Sequence, residues 1–365
     1  MNAGAVDPSF AARLIAWQKT QGRHQLPWQS TRDPYRIWLS KIMLQQTQVA
    51  AVVPYYERFL ARLPDLAALA AAQEDAVLAL WAGLGYYARA RNLHRAAQTI
   101  VQRHRGTFPR ELDAVRALPG VGRSTAAAIC AFAYGTRAAI LDGNVKRVLT
   151  RHFGVDGYPG ERRIENALWR LSESLLPARD VEAYTQGLMD LGATLCVRGN
   201  PRCGACPLQD GCVARREGRT QDWPTVRPAK ALPQRRTTML VLVSRGELLL
   251  EKRPAPGIWG GLWCFPEIDG ARFDREAGLD WESGLERECL ARFGLHAGAS
   301  RRLRDIEHGF THFRLRITPV LVRTDRAPGA GEPGSLWLTP ADARGAAIPA
   351  PVRKIIDLIE VNRDS

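Results

Sequence analysis

Four cysteines, Cys196, Cys203, Cys206 and Cys212, fall within 17 residues in the pattern C-x6-C-x2-C-x5-C. Four clustered thiols can become four thiolates around a zinc ion or an iron–sulfur cluster, and the spacing alone leaves both open. Pro201, Gly204, Pro207 and Gly211 supply turns that would wrap a short loop around such a centre. Arg198, Arg202, Arg215, Arg216 and Arg219 would put positive charge on its outside, suited to phosphate. A second group is Leu118-Pro119-Gly120-Val121-Gly122, followed by Arg123-Ser124-Thr125 and an apolar helical stretch. Two glycines opening a helix make a tight hairpin whose backbone N–H groups and helix dipole can hold an anion, although a plain helix–helix turn would look the same. Twenty residues after Gly122 comes Asp142, a carboxylate at a helix start that could be a simple N-cap.

The elements that must position these residues change character along the chain. Residues 9–220 read as helical, with apolar residues recurring at three- and four-residue spacing, as in Leu66, Leu69, Val77, Leu78 and Trp81. From Thr237 the texture becomes that of strands. Residues 238–244 and 247–252 read as a hairpin around Arg245-Gly246, residues 314–322 as another strand, and 281–293 and 352–361 as helices. The expected partition is a helical domain over 1–218, a Pro-containing linker over 219–236 and a second domain over 237–365.

A chain of 365 residues, 45% hydrophobic, has enough apolar material for two packed cores and excludes general disorder. The longest apolar run, residues 126–134, is too short for a membrane span, which takes roughly 20 residues. No basic flank followed by an apolar run opens the chain, so an intracellular protein without a secretory leader is expected. The net charge of +14 is unevenly placed: residues 1–220 carry +11, residues 221–236 carry +3, and residues 237–365 balance. Arg accounts for 45 of the 51 basic residues, more a mark of composition than of design, so the motifs decide.

The chain resembles the helix–hairpin–helix DNA glycosylases of the endonuclease III superfamily, and over about residues 13–361 the MutY-type adenine DNA glycosylases. The matching residues are 39–49 with Gln45-Gln46-Thr47-Gln48, 83–92, the hairpin, 141–148, Met189-Asp190-Leu191-Gly192-Ala193 and the four cysteines. The resemblance implies a multidomain fold: an all-α helix–hairpin–helix glycosylase domain with an iron–sulfur loop over 196–212, then an α+β Nudix-like domain. It assigns a [4Fe–4S] cluster to Cys196, Cys203, Cys206 and Cys212. It implies a substrate too, adenine opposite 8-oxoguanine or guanine in duplex DNA, and a monomeric bacterial protein of the cytoplasm and nucleoid. Excision then requires the adenine to be flipped out, protonated as it leaves, and replaced through a cation-like sugar that a carboxylate can stabilise. By resemblance Asp142 is that carboxylate. Gln46 and Tyr86 enter the base stack, with a surface amide and a core aromatic as the plain alternatives. Thr47, Gly120, Gly122, Ser124 and Lys146 contact DNA, and Arg23, Trp28 and Gln186 line an adenine pocket.

Two positions depart from the superfamily's pattern. Ser124 stands where strand-cleaving members carry a Schiff-base lysine, so a monofunctional glycosylase is expected, with at most adventitious lyase activity from Lys146. Lys41, in Trp38-Leu39-Ser40-Lys41-Ile42-Met43-Leu44, stands where the family has its catalytic Glu. An ammonium there opposes the sugar cation by about 3 kcal/mol at ~5 Å and an effective dielectric of ~20. It is expected to pair with Asp142 and neutralise it. Loss of acid–base catalysis alone costs typically about 10²–10⁴-fold. A catalytically weak mispair-binding protein is the alternative reading, and Lys41 as a new amine nucleophile is a third.

The C-terminal region resembles a Nudix domain in Gly261, Glu267, Arg287-Glu288-Cys289 and Gly294-Leu295. Ala291 and Arg292 stand where that motif has metal-binding glutamates, which leaves no Mg²⁺ site for pyrophosphate hydrolysis. A lesion-reading role is expected instead, centred on Phe310, Thr311 and His312 in His308-Gly309-Phe310-Thr311-His312-Phe313; a polar hairpin tip is the plain alternative.

Overall fold

The computed structural model describes residues 9–227, 231–255, 257–268, 281–325 and 334–361. The first part of the chain is helical: α1 (Ser9–Gln21), α2 (Pro34–Met43), α3 (Val49–Arg62), α4 (Leu66–Ala71), α5 (Glu74–Trp81), α6 (Ala88–His104), α7 (Leu112–Arg116), α8 (Arg123–Tyr134), α9 (Gly143–Phe153), α10 (Arg162–Ser174), α11 (Val181–Thr194) and α12 (Val213–Arg216). Strands β1 (Gln234–Ser244), β2 (Glu247–Lys252), β3 (Trp263–Cys264) and β4 (Glu267–Ile268) follow. After them come α13 (Trp281–Phe293), β5 (Ala297–Arg302), β6 (Ile306–Gly309), β7 (Arg314–Thr324), β8 (Ser335–Leu338), α14 (Pro340–Gly345) and α15 (Ala350–Val361). None of the described helices is long and apolar enough to cross a membrane.

Two compact units emerge, Met1–Ala71 with Asn92–Ala229, and Ala72–Arg91 with Lys230–Ser365. The expectation had placed residues 72–91 with the helical domain. Within the second unit, Lys252 Nζ is 2.7 Å or less from an acid of that segment, bonding Asp75 Oδ1 at 2.6 Å, and Tyr87 Oη donates to the Ile348 carbonyl at 3.3 Å. Residues 228–230 of the expected linker lie outside the described residues.

In the helical unit the core joins α1, α9, α10 and α11 through Phe10, Leu14, Val145, Leu149, Leu168, Tyr184, Leu188 and Leu191. Each such side chain contributes about 1.5–3 kcal/mol by leaving water. Helix α2 begins cleanly, because Asp33 Oδ1 accepts from the Tyr35 amide at 2.9 Å and Pro34 needs no amide partner. Its Ile37, Trp38 and Ile42 are buried, and that packing fixes which way the last turn points.

In the second unit the sheet runs β3-β2-β1-β7-β5, with β4 also on β1, β6 on β7 and β8 on β2. The β1–β2 hairpin turns at Arg245 and Gly246, both at positive φ (50° and 85°), as the Arg-Gly pair implies. Strand β1 is parallel to β7 from Gln234 onward, so it starts earlier than its apolar stretch. The polar residues 234–237 are held by the ladder rather than by burial. Leu240, Leu242, Leu249, Val320 and Val322 pack with Leu285 and Cys289 of α13 to form this unit's core.

Candidate active site and iron–sulfur loop

Lys41 lies in the last turn of α2, where the negative end of the helix dipole favours a cation. It lines a cavity of about 800 Å³ together with Trp28, Ile37, Ser40, Phe132 and Gln186. Its Nζ stands 4.2 Å from the centre of the Phe132 ring and 3.8 Å from Met189 Sδ. Burial pushes its pKa down from the ordinary 10.5 to about 8, against the pull of Asp142 and Asp190, and Arg23 adds to the depression. The expected Lys41–Asp142 ion pair does not form; among the described residues Lys41 has no carboxylate oxygen within the 4.0 Å of an ion pair. The reason is geometric. Asp142 Oδ1 accepts from the amides of Asn144 and Val145 at 2.8 and 2.9 Å as the cap of α9, while the ammonium is drawn over the Phe132 face.

Ser124 and Gly192 set the position of Asp142. Ser124 Oγ accepts from the Leu141 amide at 2.9 Å, one residue before the carboxylate. A Cβ at Gly192 of α11 would lie 2.5 Å from the Asn144 Cβ, so only glycine lets the start of α9 sit this close. Asp142 does not itself line the cavity around Lys41; the two are linked through their charges.

Asp190, to which the sequence reading gave no role, is fully buried and gathers two of the expected pocket residues. Its Oδ1 accepts from Arg23 Nε at 2.6 Å and Gln186 Nε2 at 2.8 Å, and its Oδ2 from the Arg23 amide at 2.9 Å. Gln186 and Trp28 line the cavity; Arg23 is joined to it through Asp190. Trp28 is buried with its ring edge-on to Tyr56, at 5.3 Å. The place of Asp190 beside Met189 in the quoted motif was the available signal. A buried carboxylate at a helical position needs such partners.

The residues expected at DNA are mostly on the surface. Gly120 has φ of 77° and touches Asn92 so closely that a Cβ would lie 2.7 Å from that residue's Cβ, whereas the space in front of Gly122 at the start of α8 is open. Gln46 is exposed with φ of 57°, and Thr47 is half-buried, its amide on the Leu44 carbonyl at 3.3 Å. In the other unit, Tyr86 is 48% exposed with φ of 50°, which removes the core-aromatic alternative. Its loop is tied down by Arg89, which donates to the Leu84 and Gly85 carbonyls at 3.1 Å each, and by Trp81 Nε1 on Gly85 at 3.2 Å. Left-handed backbone at Gln46 and Tyr86 costs on the order of 1–3 kcal/mol each and gathers where function requires it. Lys146 is held by Glu165, Nζ to Oε1 at 2.6 Å.

Cys196, Cys203, Cys206 and Cys212 line one small pocket with Arg151. Burial pushes the Cys206 thiol up to about 11 and the Cys212 thiol upward, and each is raised further by the other cysteines, so the four sulfurs share one electrostatic site. No group of three or more His, Cys, Asp or Glu among the described residues is drawn together tightly enough for a single ion. A cubane spreads its thiolates more widely than one zinc does, and the donor set fits it. Arg151, 3% exposed, donates to Cys196 Sγ at 3.5 Å, Val197 O at 2.7 Å, Arg198 O at 3.2 Å and Trp223 O at 2.8 Å. Arg147 donates to Cys196 O at 2.7 Å. Both arginines come from α9, so the helix capped by Asp142 also carries the cluster loop. The five arginines expected on the loop's outside are exposed, and Arg219 is partly offset by Asp222 at 3.0 Å.

In the strand-rich unit, Arg292, at the position where the Nudix motif has a glutamate, is held by polar contacts. It bonds Glu251 Oε2 at 2.7 Å and the Glu267 carbonyl at 2.8 Å, while Arg253 pairs with Glu267 at 2.7 Å. Residues 308–313 form the β6–β7 hairpin tip: Phe310 stacks on Phe313 at 4.4 Å, His308 meets Phe310 edge-on at 4.7 Å, and Trp259 lies 5.5 Å from Phe310. Thr311 and His312 are exposed at the tip. The plain hairpin reading and the aromatic platform are therefore both present.

A cavity lined by Trp28, Lys41 and Gln186 beside a hairpin-led helix, with a four-cysteine loop carried on the next helix, is the arrangement of a base-excision DNA glycosylase of the helix–hairpin–helix class. Family models agree: the HhH-GPD superfamily of base excision DNA repair proteins matches residues 39–174, the iron–sulfur binding domain of endonuclease III matches 196–212, and the NUDIX domain matches 237–358. The adenine DNA glycosylase of Buchnera aphidicola subsp. Acyrthosiphon pisum is 34% identical over 355 residues, 97% of this chain and 98% of that protein. The adenine DNA glycosylase of Mus musculus is 32% identical, covering 97% of this chain and 78% of its own length. A solved thermostable thymine-DNA glycosylase superposes with a TM-score of 0.53 at 30% identity, over 57% of this chain and 95% of that one. The chain belongs to the adenine DNA glycosylase family, DNA-binding enzymes of base excision repair whose cofactor is a [4Fe–4S] cluster.

Proposed function

We propose that this protein recognises adenine opposite 8-oxoguanine or guanine in duplex DNA and that its hydrolytic removal of that adenine is strongly impaired. The observation that carries the reading is the Lys41 ammonium in the cavity with Trp28 and Gln186, where the family has a carboxylate. Trp28 and Gln186 receive the flipped base, Gln186 oriented by Asp190, and Asp142, linked to the cavity through its charge, stabilises the sugar cation. Ser124 offers no amine at the position strand-cleaving relatives use, so base release itself is monofunctional and proceeds through water. Cys196, Cys203, Cys206 and Cys212 hold the cluster, which supplies a rigid tie for a DNA-facing loop. Gln46, Thr47, Tyr86, Gly120, Gly122 and Lys146 meet the DNA, and Phe310, Thr311 and His312 read the opposite base.

What is missing is a carboxylate to activate water and to balance the developing charge of the sugar. At neutral pH Lys41 is mostly cationic and opposes the sugar's charge. Binding and single-turnover base release, measured on the same duplex with adenine opposite 8-oxoguanine, test the reading. Selective binding with release at least about a hundredfold slower than in a family member carrying glutamate at this position is expected. Release at an equal rate contradicts it.

A further inference from the structure

We infer that Lys41 is an imine-forming nucleophile, giving the protein a lyase activity on pre-existing abasic sites that is separate from base removal. The inference rests on the reading above only in taking the Lys41 cavity to be where a flipped nucleotide enters.

Four observations carry it. Lys41 Nζ faces a cavity of about 800 Å³, ample for a deoxyribose without its base. Its near neighbours are the Phe132 ring at 4.2 Å and Met189 Sδ at 3.8 Å, neither of which can hold it as a cation through an ion pair. Among the described residues it has no ion-pair partner within 4.0 Å, in contrast to Lys146, which Glu165 holds at 2.6 Å. The charged groups that act on it are Asp142 at the start of α9, Asp190 on α11 and Arg23 after α1, and Lys19, His24, Arg32, Arg179, Asp180 and Glu182 also line the cavity; Asp190 already accepts from Arg23 and Gln186, which leaves burial dominant. An amine with a pKa of about 8 is roughly one-tenth neutral at pH 7, against less than a thousandth for an ordinary lysine. Desolvation of this kind is how lysines become nucleophiles.

The chemistry balances without a further reagent. An abasic deoxyribose in its open form presents an aldehyde at C1′. The Lys41 nitrogen lone pair attacks that carbon, water leaves, and a protonated imine forms. A C2′ proton then passes to water, the electron pair moves toward the iminium, and the C3′–O bond breaks with the 3′ phosphate leaving as an anion. Hydrolysis of the imine returns the amine and frees an unsaturated aldehyde end. Intact adenine nucleotides have no aldehyde, so the reaction needs a base already lost.

The test uses the full-length protein and a duplex with one abasic site opposite 8-oxoguanine, treated with sodium borohydride to reduce any imine. Binding of the same duplex is measured in parallel, and the trapped adduct is digested and mapped by mass spectrometry. A covalent adduct on Lys41, reduced at least tenfold in Lys41→Gln while duplex binding persists, with strand cleavage rising from pH 6 to a plateau above about 8, is expected. An adduct mapped to another lysine or the N-terminus, or tight binding with no adduct, overturns the inference and leaves the glycosylase reading standing. Failure to bind the duplex overturns both.

Discussion

At the scale of the residue, the proposed impairment turns on one side chain, Lys41. The lysine at position 41 is read directly from the sequence, and its proposed register against the family's glutamate rests on the flanking Trp38-Leu39-Ser40 and Ile42-Met43-Leu44. Its partner was not legible there. Attraction between opposite charges pointed to Asp142, but that residue is fixed by its Oδ1 as the cap of α9, and residues 91 and 148 positions away in the chain, Phe132 and Met189, receive the ammonium instead. The consequence for stability has a definite sign. A lysine whose folded pKa is about 8 and whose ordinary value is 10.5 binds fewer protons folded than unfolded between those values. Stability therefore rises with pH across that window, and the cost of the buried cation is fully present below pH 8. Urea midpoints of the protein and of Lys41→Gln should converge, or cross in favour of the lysine, between pH 8 and 10. A constant gap would show that the ammonium is solvated.

At the scale of the element, α9 serves two sites. Its first residue follows Asp142, its middle presents Arg147 and Arg151 to the cluster loop, and α11 lies against it at Gly192. The quoted motif contained Gly192, yet nothing in one sequence says that a glycine in a helix is there for Asn144 to pack upon. Ser124 is a similar case. Its lack of an amine was readable, while its hydroxyl's hold on the Leu141 amide depends on a contact across 17 positions. Gly192→Ala should force α9 away, costing about 1–3 kcal/mol in thermal unfolding and weakening both Asp142 placement and cluster retention. An alanine variant as stable as the parent and with its cluster intact would mean that α9 and α11 slide freely. Among strands, the apolar core of β1 was legible and its polar start was not, since pairing with β7 and not hydrophobicity extends it.

At the scale of the whole molecule, the net charge of +14 divides into a basic helical region with its following segment and a balanced C-terminal region. The balanced region keeps the Nudix framework while Arg292 and Arg253 neutralise Glu251 and Glu267 internally. That change was legible because a glutamate pair is short and local. The aromatic platform at the β6–β7 tip was only partly legible, since Trp259 joins it from far along the chain. If this tip reads the opposite base, Thr311→Val, which removes one exposed hydroxyl and little else, should lower the preference for 8-oxoguanine over guanine roughly three- to tenfold in competitive binding. An unchanged preference would place the recognition elsewhere.

Across these scales the central claim is that every part of an adenine glycosylase is in place except one carboxylate. Single-turnover adenine release from a duplex with adenine opposite 8-oxoguanine, compared between the protein and Lys41→Glu, tests it most directly. Restoring the carboxylate should accelerate release by about 10²–10⁴-fold with little change in duplex affinity. Equal rates in the two proteins would contradict it.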